Sequence, residues 1–161
     1  MNETSSRPLI GTFLVMLFVL EGIFIGGIFL FLNTQPWIAG AFISIGAPIM
    51  VVLVVTLALH LLWNRLTAPF PPQEVPHTAD QRSFQSFSWG FVNMGLSINA
   101  AIDDEYLHLE PILIWRVLGA HSTSIPFTAM VRTERGRGVR IAGRTLMGPT
   151  WCFTKVGDHN V

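Results

Sequence analysis

The densest run of one chemical type in this chain is basic. Arg132, Arg135, Arg137, Arg140 and Arg144 place five guanidinium groups within thirteen positions, opposed there only by Glu134. Next to a membrane, each such cation is worth about 1 kcal/mol toward anionic lipid headgroups. The competing reading is a solvated turn and strand edge, where charge discourages edge-to-edge pairing. Nucleic acid is not expected as a partner, because over the whole C-terminal domain the acidic residues nearly balance the basic ones.

The second residue that draws attention is Glu21, a lone carboxyl in an apolar run. A charged side chain at mid-membrane costs about 2.5 to 3.5 kcal/mol on insertion scales, so such groups face a partner or a cavity. Pro48 removes one helical hydrogen bond and frees the carbonyl of Ser44. Glu21 is therefore expected to be protonated and hydrogen-bonded to that carbonyl or to the Ser44 hydroxyl, clamping two helices together. A proton or ion relay needs more polar groups than Thr12, Ser44, Thr56 and His60 supply.

Elsewhere the chemistry is sparse. The chain holds no nucleotide-binding glycine loop, metal-ligand spacing or nucleophile elbow. His60, His77, His108, His121 and His159 are scattered. Cys152, between Trp151 and Phe153, reads as a buried, inert thiol in a strand. Asp103, Asp104 and Glu105 read as solvated turn carboxylates. No cofactor, metal or catalytic activity is expected.

Two apolar segments dominate the elements that carry these residues. Spans of about 9–32 and 37–63 flank the break Asn33-Thr34-Gln35-Pro36. Each exceeds the roughly 20 residues that cross 30 Å of hydrocarbon. With a polar tail over residues 1–8, this predicts a transmembrane helical hairpin over residues 9–66. Gly22, Gly26 and Gly40 lie at small-residue spacing, the pattern that lets two helices approach closely. Pro48 should kink the second helix, and Trp37 and Trp63 should stand at its two ends at headgroup level. Arg7 and Arg65 flank the spans and the break is uncharged, so both termini are expected in the cytoplasm. Cys152 is the only cysteine, in keeping with a reducing compartment.

Residues 67–82 form a linker with four prolines between Ala68 and Pro76, extended and semi-rigid. From 83 to 161 the pattern turns to period two. Phe87, Trp89 and Phe91 alternate with polar or small residues, as do Ile98, Ala100 and Ile102, then Leu107 and Leu109. Ile112–Leu118, Ser124–Phe127, Val139–Ile141 and Thr150–Val156 complete the candidate strands. Short strands at this spacing predict a small antiparallel sandwich or a partly open barrel.

Three stretches carry a resemblance: Asn99-Ala-Ala-Ile-Asp-Asp-Glu-Tyr-Leu-His-Leu-Glu-Pro-Ile, Ser124-Ile-Pro-Phe-Thr, and Val139-Arg-Ile-Ala-Gly-Arg-Thr-Leu-Met-Gly-Pro. Over roughly the last 75 residues the chain resembles uncharacterised bacterial membrane proteins with two helices and a PH-like or GRAM-like β domain. The resemblance implies a PH-like barrel with little room for its usual C-terminal helix, and no catalytic residues. The expected fold class is thus a membrane α-helical hairpin followed by a small PH-like antiparallel β domain. The expected function is non-enzymatic: an integral protein of the bacterial inner membrane, presenting its β domain for lipid or protein contact. The alternative is an accessory subunit of a larger membrane complex in transport or energy conversion. Its spans would then pack on other subunits or on a second copy.

Overall fold

The computed structural model describes residues 7–34, 36–133 and 138–157; within the first two helices, side chains are described at 15–30, 32, 37, 38, 40 and from 43 onward. The chain divides into a helical unit ending at Leu61 and a second unit beginning at Leu62.

In the helical unit, α1 covers Arg7–Thr34 and α2 covers Pro36–Ala58. Pro36 opens α2, where a missing N–H costs nothing. The helix runs on through Pro48 and leads into a π-helical turn, Leu59–Trp63, and then α3, Asn64–Thr67. Among the described residues, one helix is long and apolar enough to cross a membrane: Ile43–Thr67, 25 residues with a mean hydropathy of 2.5. The described apolar stretch of α1, Val15–Leu30, is shorter.

The face of α1 that is partly covered carries Leu17, Leu20, Phe24 and Ile28, at helical spacing. Phe24 meets α2 at Gly46, where an added Cβ would stand 2.8 Å from its ring. The packing expected of Gly22, Gly26 and Gly40 is corrected here. All three are exposed, with open space among the described residues where a Cβ would project. At 100° per residue, Gly22 and Gly26 fall on the side of α1 away from Phe24. The glycine that receives a neighbouring helix is Gly46.

The second unit holds seven antiparallel strands: β1 (Asp80–Trp89), β2 (Val92–Ile102), β3 (Tyr106–Pro111), β4 (Thr123–Pro126), β5 (Met130–Arg132), β6 (Val139–Ile141) and β7 (Arg144–Met147). Their order is β4-β3-β2-β1-β7-β6-β5. A four-strand meander and a three-strand meander are thus joined where β1 pairs with β7. The free edges, β4 and β5, are consecutive in the chain and linked by one 3-10 turn, Phe127–Ala129. The sheet curls into a nearly closed barrel. Inward-facing Phe87, Trp89, Leu107, Leu109, Ile125 and Leu146 are all at most 2% exposed and form its core.

Three strand expectations are corrected. Ile112–Leu118 is no strand: Leu113–Val117 form a short helix, α4, capping the end of β3. Thr150–Phe153 is a 3-10 turn packed on the barrel, with Cys152 buried in it as expected. Phe91 does not point inward with Phe87 and Trp89. It lies with Gly90 in the two-residue turn between β1 and β2, and is 55% exposed. Gly90 has φ of +64°, the left-handed value such a tight hairpin requires.

The semi-rigid linker expected between the units is docked on the second one. The second unit takes in both the helix end and the proline-rich stretch, so it starts at Leu62 and not at 83. The Thr123 hydroxyl donates to the Phe70 carbonyl at 2.6 Å, and the Gln73 N–H donates to Ser124 Oγ at 2.8 Å. The Phe70 ring lies 6.2 Å from that of Trp89. The linker therefore follows β4 and covers an edge strand that would otherwise be open to pairing.

Candidate functional site

The end of the barrel that receives the helix is built from a few polar contacts. Trp63, expected at headgroup level, is 1% exposed in the second unit. Its indole N–H donates to the His121 carbonyl at 2.8 Å. The Asn64 amide donates to the Gly119 carbonyl at 2.7 Å, and its oxygen accepts the His121 N–H at 3.0 Å. A side-chain amide that both donates and accepts matches one peptide strand edge-on, and holds both groups without a charge. Thr67 closes the helix by donating back to the Trp63 and Asn64 carbonyls.

Those three acceptor and donor groups lie in the loop directly after α4. Leu113, Ile114 and Val117 on α4 are 68%, 60% and 76% exposed. At 100° per residue the three span an arc of about 100° on the helix. Arg116, about 60° from Leu113 on the other flank, forms an ion pair with Glu110. The sequence signal was present in the apolar run Ile112–Leu118, but its length suits a strand as well as a helix.

A buried polar chain lies outside the core, between β3, β4 and the linker. His108 Nδ1 is 2.8 Å from Ser124 Oγ, and its Nε2 is 3.0 Å from Asp103 Oδ2. Residues His108 and Ser124 are 4% and 3% exposed, and the Asp103 side chain is 14% exposed. His108 alternates outward from Leu107 and Leu109 and would face water were the linker not docked there. Asp103 is no free turn carboxylate: its Oδ1 accepts the N–H groups of Glu105 and Tyr106 at 2.7 and 2.6 Å. Burial pushes its carboxyl up. The hydrogen bonds from His108, Tyr106 and Glu105, with the attraction of His108, outweigh that and hold it below its ordinary 3.8.

Serine, histidine and aspartate in line are the parts of a hydrolytic triad. Two features set this arrangement apart. Serine sits on Nδ1 and aspartate on Nε2, the reverse of the catalytic order. Ser124 Oγ also accepts the Gln73 N–H, and Ser124 is only 3% exposed. The chain acts as a tie between linker, β3 and β4. It was missed in the sequence because His108 and Ser124 meet only through the β3–β4 register. An open depression of about 480 Å³ lies beside Asp103, rimmed by Glu74, Asp104 and Glu105. Among the described residues, no three His, Cys, Asp or Glu side chains converge as a metal site.

The arginines do not act as one group. Arg132 is a strut: its guanidinium donates to the carbonyls of Val156, Phe153 and Thr154 at 2.6, 3.0 and 3.3 Å. The donors expected to meet headgroups are here bonded within the domain, at the C-terminal turn. Arg144 is half-buried, 5.5 Å over the Phe91 ring. Arg140 is exposed on β6. Arg135 and Arg137 lie outside the described residues.

Cys152 is the buried thiol expected. Burial pushes it up to about 12, against a downward pull from Arg82. Glu21 and Ser44 are both exposed, and no hydrogen bond joins them. The clamp expected between them is corrected. At 100° per residue Glu21 lies about 60° from Phe24, at the margin of the partly covered face. Pro48 is likewise exposed. Comparison with protein-family models, with curated proteins and with solved structures gave no match.

Proposed function

We propose that this chain is an integral membrane protein that presents its β domain at the cytoplasmic face of the bacterial inner membrane, for lipid or protein contact. The observation that carries this reading is the helix Ile43–Thr67. Its mean hydropathy is 2.5, yet only 6% of its most apolar window is buried within the protein. A soluble protein would hide such a helix in its core; lipid solvates it without cost. In this reading α1 crosses beside α2, with Phe24 against Gly46, and both termini are cytoplasmic. The four-plus-three strand order is in keeping with a PH-like barrel, with the 3-10 turn Thr150–Phe153 in the place of its C-terminal helix.

The test is fractionation followed by topology mapping. Carbonate-resistant membrane association is expected. A reporter at residue 35 should be active only outside the cytoplasm, and one at the C-terminus only inside. Release by carbonate, or the reverse reporter pattern, would overturn the reading.

One observation favours a second reading, an accessory subunit of a larger membrane complex. Glu21 is exposed on α1. A carboxyl facing lipid is costly, and a neighbouring subunit that hydrogen-bonds it removes the cost. Migration in mild detergent as a discrete assembly of different chains would support this reading; migration as the single chain would count against it.

A further inference from the structure

We propose that α4 is a membrane-inserting element: Leu113, Ile114 and Val117 enter the headgroup–acyl boundary of the bilayer that holds the apolar helix. This rests on the membrane reading above and adds to it a specific lipid contact.

The argument begins with which end of the barrel α4 occupies. Asn64 and Trp63 belong to the apolar helix Ile43–Thr67, and they bond directly to Gly119 and His121. Gly119 in turn donates its N–H to the Arg116 carbonyl of α4. Val117 is two residues from Gly119, so its Cα lies within about 7 Å of the residue that grips Asn64. If that helix leaves the bilayer near Trp63, α4 is held at the bilayer surface.

The chemistry of α4 suits that place. Leu113, Ile114 and Val117 are each 60% to 76% exposed, with the exposed Arg116 beside Leu113. The N–H groups of Ile112, Trp115, Arg116, Leu118, Gly119 and Ala120 all reach carbonyl acceptors within the unit. These backbone donors can leave water without being stranded, and the Trp115 indole N–H, which has no partner, is already buried. The one charge on the helix, Arg116, is neutralised by Glu110. Its long side chain can also reach back toward the headgroups.

The opposite end of the barrel has the opposite character. β3 runs from Tyr106 to Pro111, so its two ends are about 17 Å apart. The turn before it holds Asp103, Asp104 and Glu105; Lys155 pairs with Asp104 at 2.6 Å, and the exposed Glu105 is a carboxylate that an anionic surface repels. The polarity of the domain therefore orients it with α4 toward lipid and the acidic turn toward water. Partial insertion of an aliphatic face by 5–10 Å is the usual depth for such elements. It is set by apolar area, so salt should not reverse it, unlike attraction of arginines to headgroups.

The test uses the full-length protein in phosphatidylcholine/phosphatidylglycerol liposomes, spin-labelled at one introduced cysteine; Cys152 is buried and stays unlabelled. Three positions are compared by collision with oxygen, which prefers lipid, and with a nickel chelate, which prefers water. Ile49→Cys on α2 reports the anchor, Val117→Cys reports α4, and Glu105→Cys reports the far end. The expected result is a deep Ile49 label, a Val117 label with an oxygen-to-nickel ratio severalfold above that at Glu105, and no change in 1 M salt. A deep Ile49 label with Val117 as watery as Glu105 overturns the α4 proposal and leaves the membrane anchor standing. Val117 shielded from both reagents, with spin–spin broadening, assigns the face to a second copy of the chain and overturns it too. A watery Ile49 label overturns the anchor reading, and the α4 proposal falls with it.

Discussion

The indole N–H of Trp63 donates to the His121 carbonyl at 2.8 Å, across 58 positions of sequence. With Asn64 beside it, this contact makes the last turn of an apolar helix part of a β domain's fold. The side chain buried there is the largest in the unit outside the barrel core.

Trp63→Ala should therefore destabilise the β domain, although position 63 reads as a membrane-interface residue. Truncating a buried tryptophan costs about 3–5 kcal/mol. Trp63→Phe keeps most of the packing and loses one hydrogen bond, for about 1–3 kcal/mol once the His121 carbonyl is left bare. Urea unfolding of the full chain in detergent, followed by near-ultraviolet circular dichroism, measures both. Equal, negligible effects would place Trp63 outside the folded unit.

Asp103→Asn tests the buried tie at His108. The Asp103 carboxyl is held below 3.8 in the folded protein. A depressed carboxyl contributes stability that is fully present above its unfolded value and is lost as pH falls through its folded value. The variant should be less stable than the parent at neutral pH by about 1–3 kcal/mol. That gap should narrow as pH drops below 3.8. A gap that stays constant from neutral to acid pH would mean that Asp103 is not held in its charged form by the fold.

Arg132→Gln should loosen the C-terminal turn. Three carbonyls there, Phe153, Thr154 and Val156, lose their shared donor. The readout is Cys152, which is fully buried with a thiol pushed up to about 12. In the parent, alkylation at pH 8 should be slow, because little thiolate forms and reagent cannot reach it. In the variant it should accelerate at least several-fold. An unchanged rate would show that Arg132 is not what holds the turn closed.

Gly46→Leu and Gly22→Leu separate two views of the helical unit. A Cβ at Gly46 would stand 2.8 Å from the Phe24 ring, whereas at Gly22 the space is open among the described residues. Gly46→Leu should cost about 1–3 kcal/mol by overpacking, seen as easier proteolysis or lower expression. Gly22→Leu should leave the isolated chain unaffected. Loss of a larger assembly on Gly22→Leu alone would place a partner helix on that face.

Much of this architecture is legible in the sequence, because its causes are local. Two long apolar runs broken at Pro36 give helices, since hydrogen bonds to i−4 and an apolar surface need only neighbours along the chain. Period-two patterns at Ile98–Ile102 and Leu107–Leu109 give strands for the same reason, and Cys152 between two aromatics reads as buried. The seven-residue run at Ile112 was ambiguous, because a run that short satisfies either period.

What the tertiary structure alone decided are the contacts that depend on register and docking. The Gly22–Gly26 pair lies on the far side of α1, and Glu21 only at the margin of the covered face, because that face is chosen by where Phe24 fits, at Gly46. Arg132 and Arg140 look alike in sequence and differ in role, since only one reaches the C-terminal carbonyls. His108 meets Ser124 because β3 and β4 pair in one register and the linker then seals that face from water. Trp63 turned from a presumed membrane anchor into a buried strut, because the loop carrying Gly119 and His121 offered its indole a carbonyl. Local pattern determines which elements form; long-range complementarity of shape and hydrogen bonds determines which of their residues are spent on structure and which, like α4's aliphatic face, are left to meet something else.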